Sequence, residues 1–321
     1  MPLLRRKVTI SLHPGDSIVV FYRFGTLRCR HLGKSPSTAR RGVLVPTVPA
    51  RARRRGLRMS EPNARRHVFC VDGITINLPS LPQAVAAIAS AARQARGFCA
   101  FTLNLDHCTK LRSDRRFRNA YRRAQFVTAD GFPIVMLGRL AGAHVSRTTG
   151  ADLAEPICVE AARAGLPVVL FGPNNRTLRR AQSRLHQRID GLRIVDAFAP
   201  GENFEPESLD GDLAIERIRQ SGARLCLVAL GAPRQEIFSA RCVDRVPGIG
   251  LICVGAALDF IAGTQMRAPR FFQDRGLEWL WRLSSNPRRL ATRYLRCAAA
   301  VPRLVIDVIP QAVSARRERA S

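Results

Sequence analysis

Four turns carry side chains able to act on a phosphorylated substrate, and each ends or interrupts an apolar, strand-like run. The first, Thr102-Leu103-Asn104-Leu105-Asp106, sets a hydroxyl, an amide and a carboxylate at a strand end. Asn or Asp in such a place also serves as a helix N-cap. The second, Thr128-Ala129-Asp130-Gly131, puts an acid before a glycine. That aspartate is either a turn residue or a pocket carboxylate placed to act as a general base. The third, Phe171-Gly172-Pro173-Asn174-Asn175, offers a glycine and a helix N-terminus to a phosphate. It is neither a Walker loop nor a G-x-G-x-x-G turn, and no such turn follows any strand, which argues against a nicotinamide-dependent enzyme. The fourth is Gly231-Ala232-Pro233-Arg234-Gln235-Glu236. Here glycine lets a ligand approach the backbone, proline starts a helix, and Arg234 and Gln235 supply a charge and amide donors. Capping alone would not call for both.

Metal-ligand patterns are weaker. Asp210-Gly211-Asp212 has D-x-D spacing, but it follows Glu205-Pro206-Glu207 in a polar loop and leads into an amphipathic helix, a position that suits an N-cap. The nine cysteines show no C-x-x-C or paired spacing, so neither a zinc site nor a disulfide framework is read. Reduced thiols in a cytosolic protein are expected instead. The six histidines, His107, His144 and His186 among them, are scattered without metal-ligand spacing.

The elements that position these turns are legible from residue 68 onward. Asp72-Gly73 between Val68–Val71 and Ile74–Leu78 is a hairpin signal. Helix 81–93 follows, then strand 99–103, a helix to about 123, strand 126–129 and helix 132–140. The alternation continues with helix 152–164, strand 167–171, helix 175–189 and strand 192–198. Helix 212–220, strand 224–230, helix 234–242 and strand 249–254 close it. This pattern predicts an α/β fold, a largely parallel sheet flanked by helices on both faces, with ligands at the carboxyl ends of the strands.

Charge separates the two ends of the chain. Lys and Arg number 52 against 24 Asp and Glu, a net charge of +28 that should seek phosphate in nucleic acid, lipid headgroups or a diphosphate substrate. Arginine-rich coding is the alternative source of part of this excess. Residues 1–66 hold 16 Lys and Arg against Asp16 and Glu61, without sustained apolar period, and are expected to form a disordered basic arm. Met59 is an alternative start. The α/β domain is placed at 67–270, an arginine-rich helical appendage at 271–310 and a basic tail at 311–321. Within the appendage Arg282, Arg289, Arg293 and Arg296 fall in a stripe of about 60°, beside leucine and aromatic residues, with Pro287 expected to break the helix in two. It is either a solvated face or a basic amphipathic helix lying on anionic lipid. No segment is read as reaching the roughly 18 apolar residues of a membrane span, so membrane contact is expected to be peripheral. A basic nucleic-acid-binding protein is the alternative reading; no reading motif or aromatic platform accompanies the charge.

With these pieces assembled, the chain resembles the WecG/TagA/CpsF glycosyltransferases (glycosyltransferase family 26) over residues 68–303. The resemblance rests on Gly231–Glu236, Val254-Gly255-Ala256-Ala257-Leu258-Asp259-Phe260, Arg267-Ala268-Pro269 and Gly276–Leu283 with Pro287-Arg288-Arg289-Leu290 and Arg293-Tyr294, in family order. It implies a Rossmann-like fold with a membrane-associating C-terminal appendage. The implied reaction moves a hexose, such as N-acetylmannosamine, its uronic acid or glucose, from a UDP-sugar to a polyprenyl-diphosphate-linked saccharide, with inversion. It takes place at the cytoplasmic face of the membrane during cell-surface polysaccharide synthesis, without a metal or other cofactor. By the same resemblance Asp130 is the general base, Thr102 and Asn104 line its pocket, and Gln235 lies near the donor; Gly172, Gly231, Arg234 and Asp259, in their turns, are also placed on the substrate side. Arg282, Arg289 and Arg293 would complement diphosphates. Leu258 stands where the family commonly has phenylalanine. No specific nucleic acid is implied, and oligomeric state stays open.

Overall fold

The computed structural model describes the backbone of residues 7–13, 16–23, 26–31, 68–285 and 287–320. The chain divides into two compact units, Met1–Arg58 and Met59–Ser321. In the first, β1 (Lys7–His13), β2 (Asp16–Arg23) and β3 (Thr26–His31) form an antiparallel meander. Its register sets Val8 opposite Val20 and Ile10 opposite Ile18. These alternations are short, which is why they do not register as a sustained period. The rest of the segment expected as a basic arm lies outside the described residues.

The second unit opens with the hairpin β4 (Phe69–Val71) and β5 (Ile74–Ile76). Asp72 and Gly73 both take positive φ, 51° and 77°, as a two-residue primed turn requires. The main sheet has six parallel strands: β6 (Phe98–Leu103), β7 (Phe126–Ala129), β8 (Val168–Phe171), β9 (Ile194–Phe198), β10 (Leu225–Val228) and β11 (Gly250–Cys253). Their order is β7-β6-β11-β10-β8-β9. Side chains alternate between two cores with period two. Phe98, Ala100, Val168, Leu170, Leu225 and Leu227 face one, while Cys99, Phe101, Val169, Phe171, Cys226 and Val228 face the other. The near-continuous apolar strands are those of a parallel sheet buried on both sides.

Helices cover each face. On the first lie α1 (Leu81–Arg93), α5 (Gly150–Arg163) and α6 (Asn175–Arg188); on the second lie α2 (Leu105–Ser113), α3 (Arg115–Arg122), α7 (Leu209–Gln220) and α8 (Arg234–Arg245). The single helix expected up to residue 123 is two, because the Asp114 carboxylate accepts the N–H groups of Arg116 and Phe117 and starts α3 afresh. α4 (Phe132–Leu140) leaves the end of β7. The run after β11 folds into a short helix, α9 (Ala257–Ala262), too brief for its period to be read from sequence.

The C-terminal region comprises α10 (Arg270–Asp274), α11 (Glu278–Ser285) and α12 (Pro287–Ala320). The break expected at Pro287 is present, while Pro302 and Pro310 lie inside α12, which carries on through the segment set apart as a tail. Within α12, Leu290–Ala315 is long and apolar enough, by length and composition, to cross a membrane. This corrects the expectation that no segment reaches that length: Arg303 and Asp307 interrupt the apolar run without breaking the helix. At about 1.5 Å per residue it spans roughly 39 Å. One face is packed on the domain, with Cys297, Ala300, Leu304 and Val308 buried and the Gln311 side chain bonded to both the N–H and the carbonyl of Cys70. Leu295, Ile306, Ile309 and Val313 on the other side are exposed.

One glycine sets the distance between a helix and the sheet. A Cβ at Gly150 would lie 2.7 Å from Val254 Cα and 2.9 Å from the Cys253 carbonyl oxygen. Gly150→Ala should therefore destabilise the protein by about 1–3 kcal/mol, read as a lower urea midpoint. An unchanged midpoint would contradict this close approach of α5 to β11.

Candidate active site

The sheet brings the polar turns to one edge in the lateral order Asp130, Thr102, Gly255, Gly231, Gly172, following strands β7, β6, β11, β10 and β8. At about 4.8 Å between strands, this row is roughly 19 Å long. Its first part is a carboxylate held by two donors. The Thr102 hydroxyl donates to Asp130 Oδ2 at 3.4 Å and the Asn104 amide at 3.3 Å. The Asp130 N–H donates to the Leu103 carbonyl at 2.8 Å, and Gly131, at φ 89°, turns the chain away into α4. Asn104 makes two contacts: its Oδ1 caps α2 by accepting the His107 N–H at 2.9 Å, while its NH2 group faces Asp130.

Behind this group lies a buried polar cluster that the sequence did not disclose. The Tyr121 hydroxyl donates to the Thr102 carbonyl at 2.7 Å, and His107 Nδ1 lies 2.9 Å from the same oxygen and 2.8 Å from the hydroxyl. Burial pushes the His107 pKa down to about 4, so the ring is neutral near pH 7 and braces the end of β6.

Gly231 and Gly255, at the ends of adjacent strands β10 and β11, take φ of 73° and 57°, and a Cβ on either would meet no atom within 4 Å. Both turns therefore present bare backbone to open space. The Ala232–Pro233 peptide is cis. Gln235 is buried and joins the two turns: its Oε1 accepts the Gly255 N–H at 3.3 Å and its Nε2 donates to Glu236 Oε1 at 2.8 Å. Arg234 is exposed. Glu236 is fully buried. Burial raises its pKa to about 7, against the opposing pull of Gln235 and Lys110.

Gly172 admits close packing of Leu178 and Leu258, whose methyl carbons would lie 2.9 and 3.2 Å from a Cβ placed there. Nearby, Asn174 caps α6 by accepting the Thr177 N–H at 2.8 Å. Asp259 Oδ1 accepts the hydroxyls of Thr264 at 3.0 Å and Thr177 at 3.5 Å. The D-x-D pair sits in the first turn of α7, whose N-cap is Ser208, not Asp210. Asp212 is ion-paired with Arg241 at 2.8 Å and with Arg245.

The appendage arginines are less uniform than a stripe suggests. Arg293 turns inward, its Nε donating to Asp106 Oδ1 at 2.8 Å. It shares a helix face with buried Cys297, Ala300 and Leu304, opposite the exposed apolar side chains. The side chains of Arg282 and Arg289 lie outside the described residues. Other ties run to the start of α5, where Arg267 pairs with Asp152 at 2.6 Å and Arg147 lies 3.7 Å from Glu278.

A family model described as glycosyl transferase, WecG/TagA/CpsF family, matches residues 69–318. The chain belongs to this family. As a WecG/TagA/CpsF protein it is a glycosyltransferase of cell-surface polysaccharide synthesis, working with a sugar donor and a lipid-linked acceptor. The match begins on β4 and runs far into α12, so the appendage is part of the family's domain and the Met1–Arg58 unit is not.

The Glu236 carboxyl gives the site a pH signature. Unfolded, it ionises near its ordinary 4.5, whereas in the fold it keeps its proton until about pH 7. The native state therefore binds more protons between these values, and stability falls as pH rises through them, by about 3 kcal/mol. Glu236→Gln should remove that slope, so urea midpoints at pH 5 and pH 8 should differ less for the variant than for the wild type. Equal slopes would contradict the assignment.

Proposed function

We propose that this glycosyltransferase moves a hexose from a UDP-sugar to a polyprenyl-diphosphate-linked saccharide, with Asp130 as general base. The observation that carries the reading is the convergence of Thr102 and Asn104 on a single oxygen of Asp130, beside strands whose next turns expose bare glycine backbone. Donors on Oδ2 orient the carboxylate and leave its charge available to a hydroxyl proton. The acceptor hydroxyl gives its proton to Asp130 as its oxygen bonds to the anomeric carbon. The bond from that carbon to the UDP oxygen breaks in the same displacement, so configuration inverts.

The donor would lie along the row of turns, its diphosphate near Gly231 and Gly255 and its far end toward Gly172 and Asp259. Charge on the departing UDP is met by arginine, from Arg234 and from Arg282 and Arg289 of the appendage, so no metal enters this reading. Arg293 is instead paired with Asp106. The acceptor's lipid calls for an anionic membrane surface. The exposed apolar side chains of α12, with Phe132, Met136 and Leu140 on α4, support attachment to a membrane, which this reading takes as peripheral and at the cytoplasmic face.

Two outcomes follow. Asp130→Asn should lower the transfer rate by about 100-fold or more with little change in melting temperature; near-normal transfer would remove Asp130 from the base role. Replacing Leu295 and Ile306 by glutamine should weaken co-sedimentation with anionic vesicles while leaving the fold intact. Equal co-sedimentation would count against attachment through that face.

A further inference from the structure

Asp106 meets cations from two directions. Its Oδ1 accepts from Arg293 Nε of α12 at 2.8 Å, and its Oδ2 lies 2.8 Å from the Lys110 ammonium one turn further along α2. Lys110 Nζ also donates to the Ala232 carbonyl at 3.1 Å, inside the Gly231–Glu236 turn. A continuous chain of charged contacts therefore runs from the appendage, through α2, to the main chain of a turn after β10. We propose that Asp106 is a positioning residue that, with Lys110, transmits the seating of α12 to the Gly231–Glu236 turn. The donor side of the site then takes its working shape only when the appendage is docked.

Three features favour a built relay over an incidental surface pair. Asp106 is only 8% exposed, so its charge is compensated inside the structure and not by solvent. Burial alone would raise its pKa, yet Lys110 and Arg293 hold the carboxyl below its ordinary range. Lys110 is one of three lysines, with Lys7 and Lys34, in a chain with 49 arginines. A compact ammonium with three rotatable donors can serve a carboxylate and a carbonyl at once, where a planar guanidinium fork is less adaptable. Without the carboxylate, Lys110 and Arg293 would be left as like charges with nothing between them.

The proposal rests on the reading of the turn as donor-binding, but its coupling can be tested without any transfer assay. In the full-length protein, iodoacetamide labelling of Cys297 reports the seating of α12, because that thiol is 5% exposed and lies one turn beyond Arg293. Hydrogen exchange of peptides covering residues 230–236 reports the turn. Asp106→Asn and Arg293→Gln should each speed both by about three- to tenfold, whereas Lys110→Met should speed only the turn. Arg293 is 46% exposed, so its variant keeps the fold even where the Asp106 variant does not. In a transfer assay Asp106→Asn should raise the donor KM by about tenfold, and Asp106→Glu should restore it. Faster Cys297 labelling with unchanged exchange at the turn would overturn the coupling. So would unchanged values of both readouts in Arg293→Gln.

Discussion

Burial of the parallel sheet on both faces is the constraint from which the site follows. Strands such as Val168–Phe171 and Leu225–Val228 have no exposed face on which to carry a polar side chain. Polar function is therefore displaced to the residues just past the carboxyl ends, where helices begin and backbone donors are unspent. That displacement lines up Asp130, Thr102, Gly255, Gly231 and Gly172, although these residues are spread over more than 150 positions of sequence. Helix capping and contact with Asp130 then draw on one side chain: Asn104 caps α2 through its oxygen and meets Asp130 through its nitrogen.

A second layer holds the edge in place. Tyr121 and His107 grip the Thr102 carbonyl from beneath, and Gln235 bridges the turns after β10 and β11. This places the amide of Gln235 in a structural tie between turns, a role the sequence reading did not assign to it. The appendage joins the same scaffold through α2, and Arg267 and Glu278 extend its ties to the start of α5. Much of the positive charge is committed in this way: Arg241, Arg245, Arg217 and Arg116 answer carboxylates within the fold. The net charge of +28 already discounts these pairs, so the excess beyond them is what meets an anionic partner.

The alternation of apolar strands with amphipathic helices was legible because it is local. Phe126–Ala129, Phe132–Leu140 and Leu81–Arg93 have the bounds their periodicity predicts. Asp130 could be singled out as an acid before glycine at a strand end, but its pairing with Thr102 and Asn104 depends on β6 and β7 being neighbours. Two things stayed hidden for physical reasons. The six residues of α9 are too few to show a helical period. The inward turn of Arg293 depends on Asp106, 187 residues away, and a stripe on a helical wheel does not say which way it faces. The i,i+4 spacing of Asp106 and Lys110 was the one local trace of that network.

The most direct measurement is the product itself. Purified full-length protein is incubated with a panel of UDP-hexoses and a short-chain polyprenyl-diphosphate-linked saccharide, with the product read by mass and its anomeric configuration by NMR. One donor should add a single hexose to the acceptor, with UDP released in equal amount and the configuration at the transferred carbon inverted. Retention of configuration, or UDP release without a glycosylated acceptor, would contradict the proposed transfer.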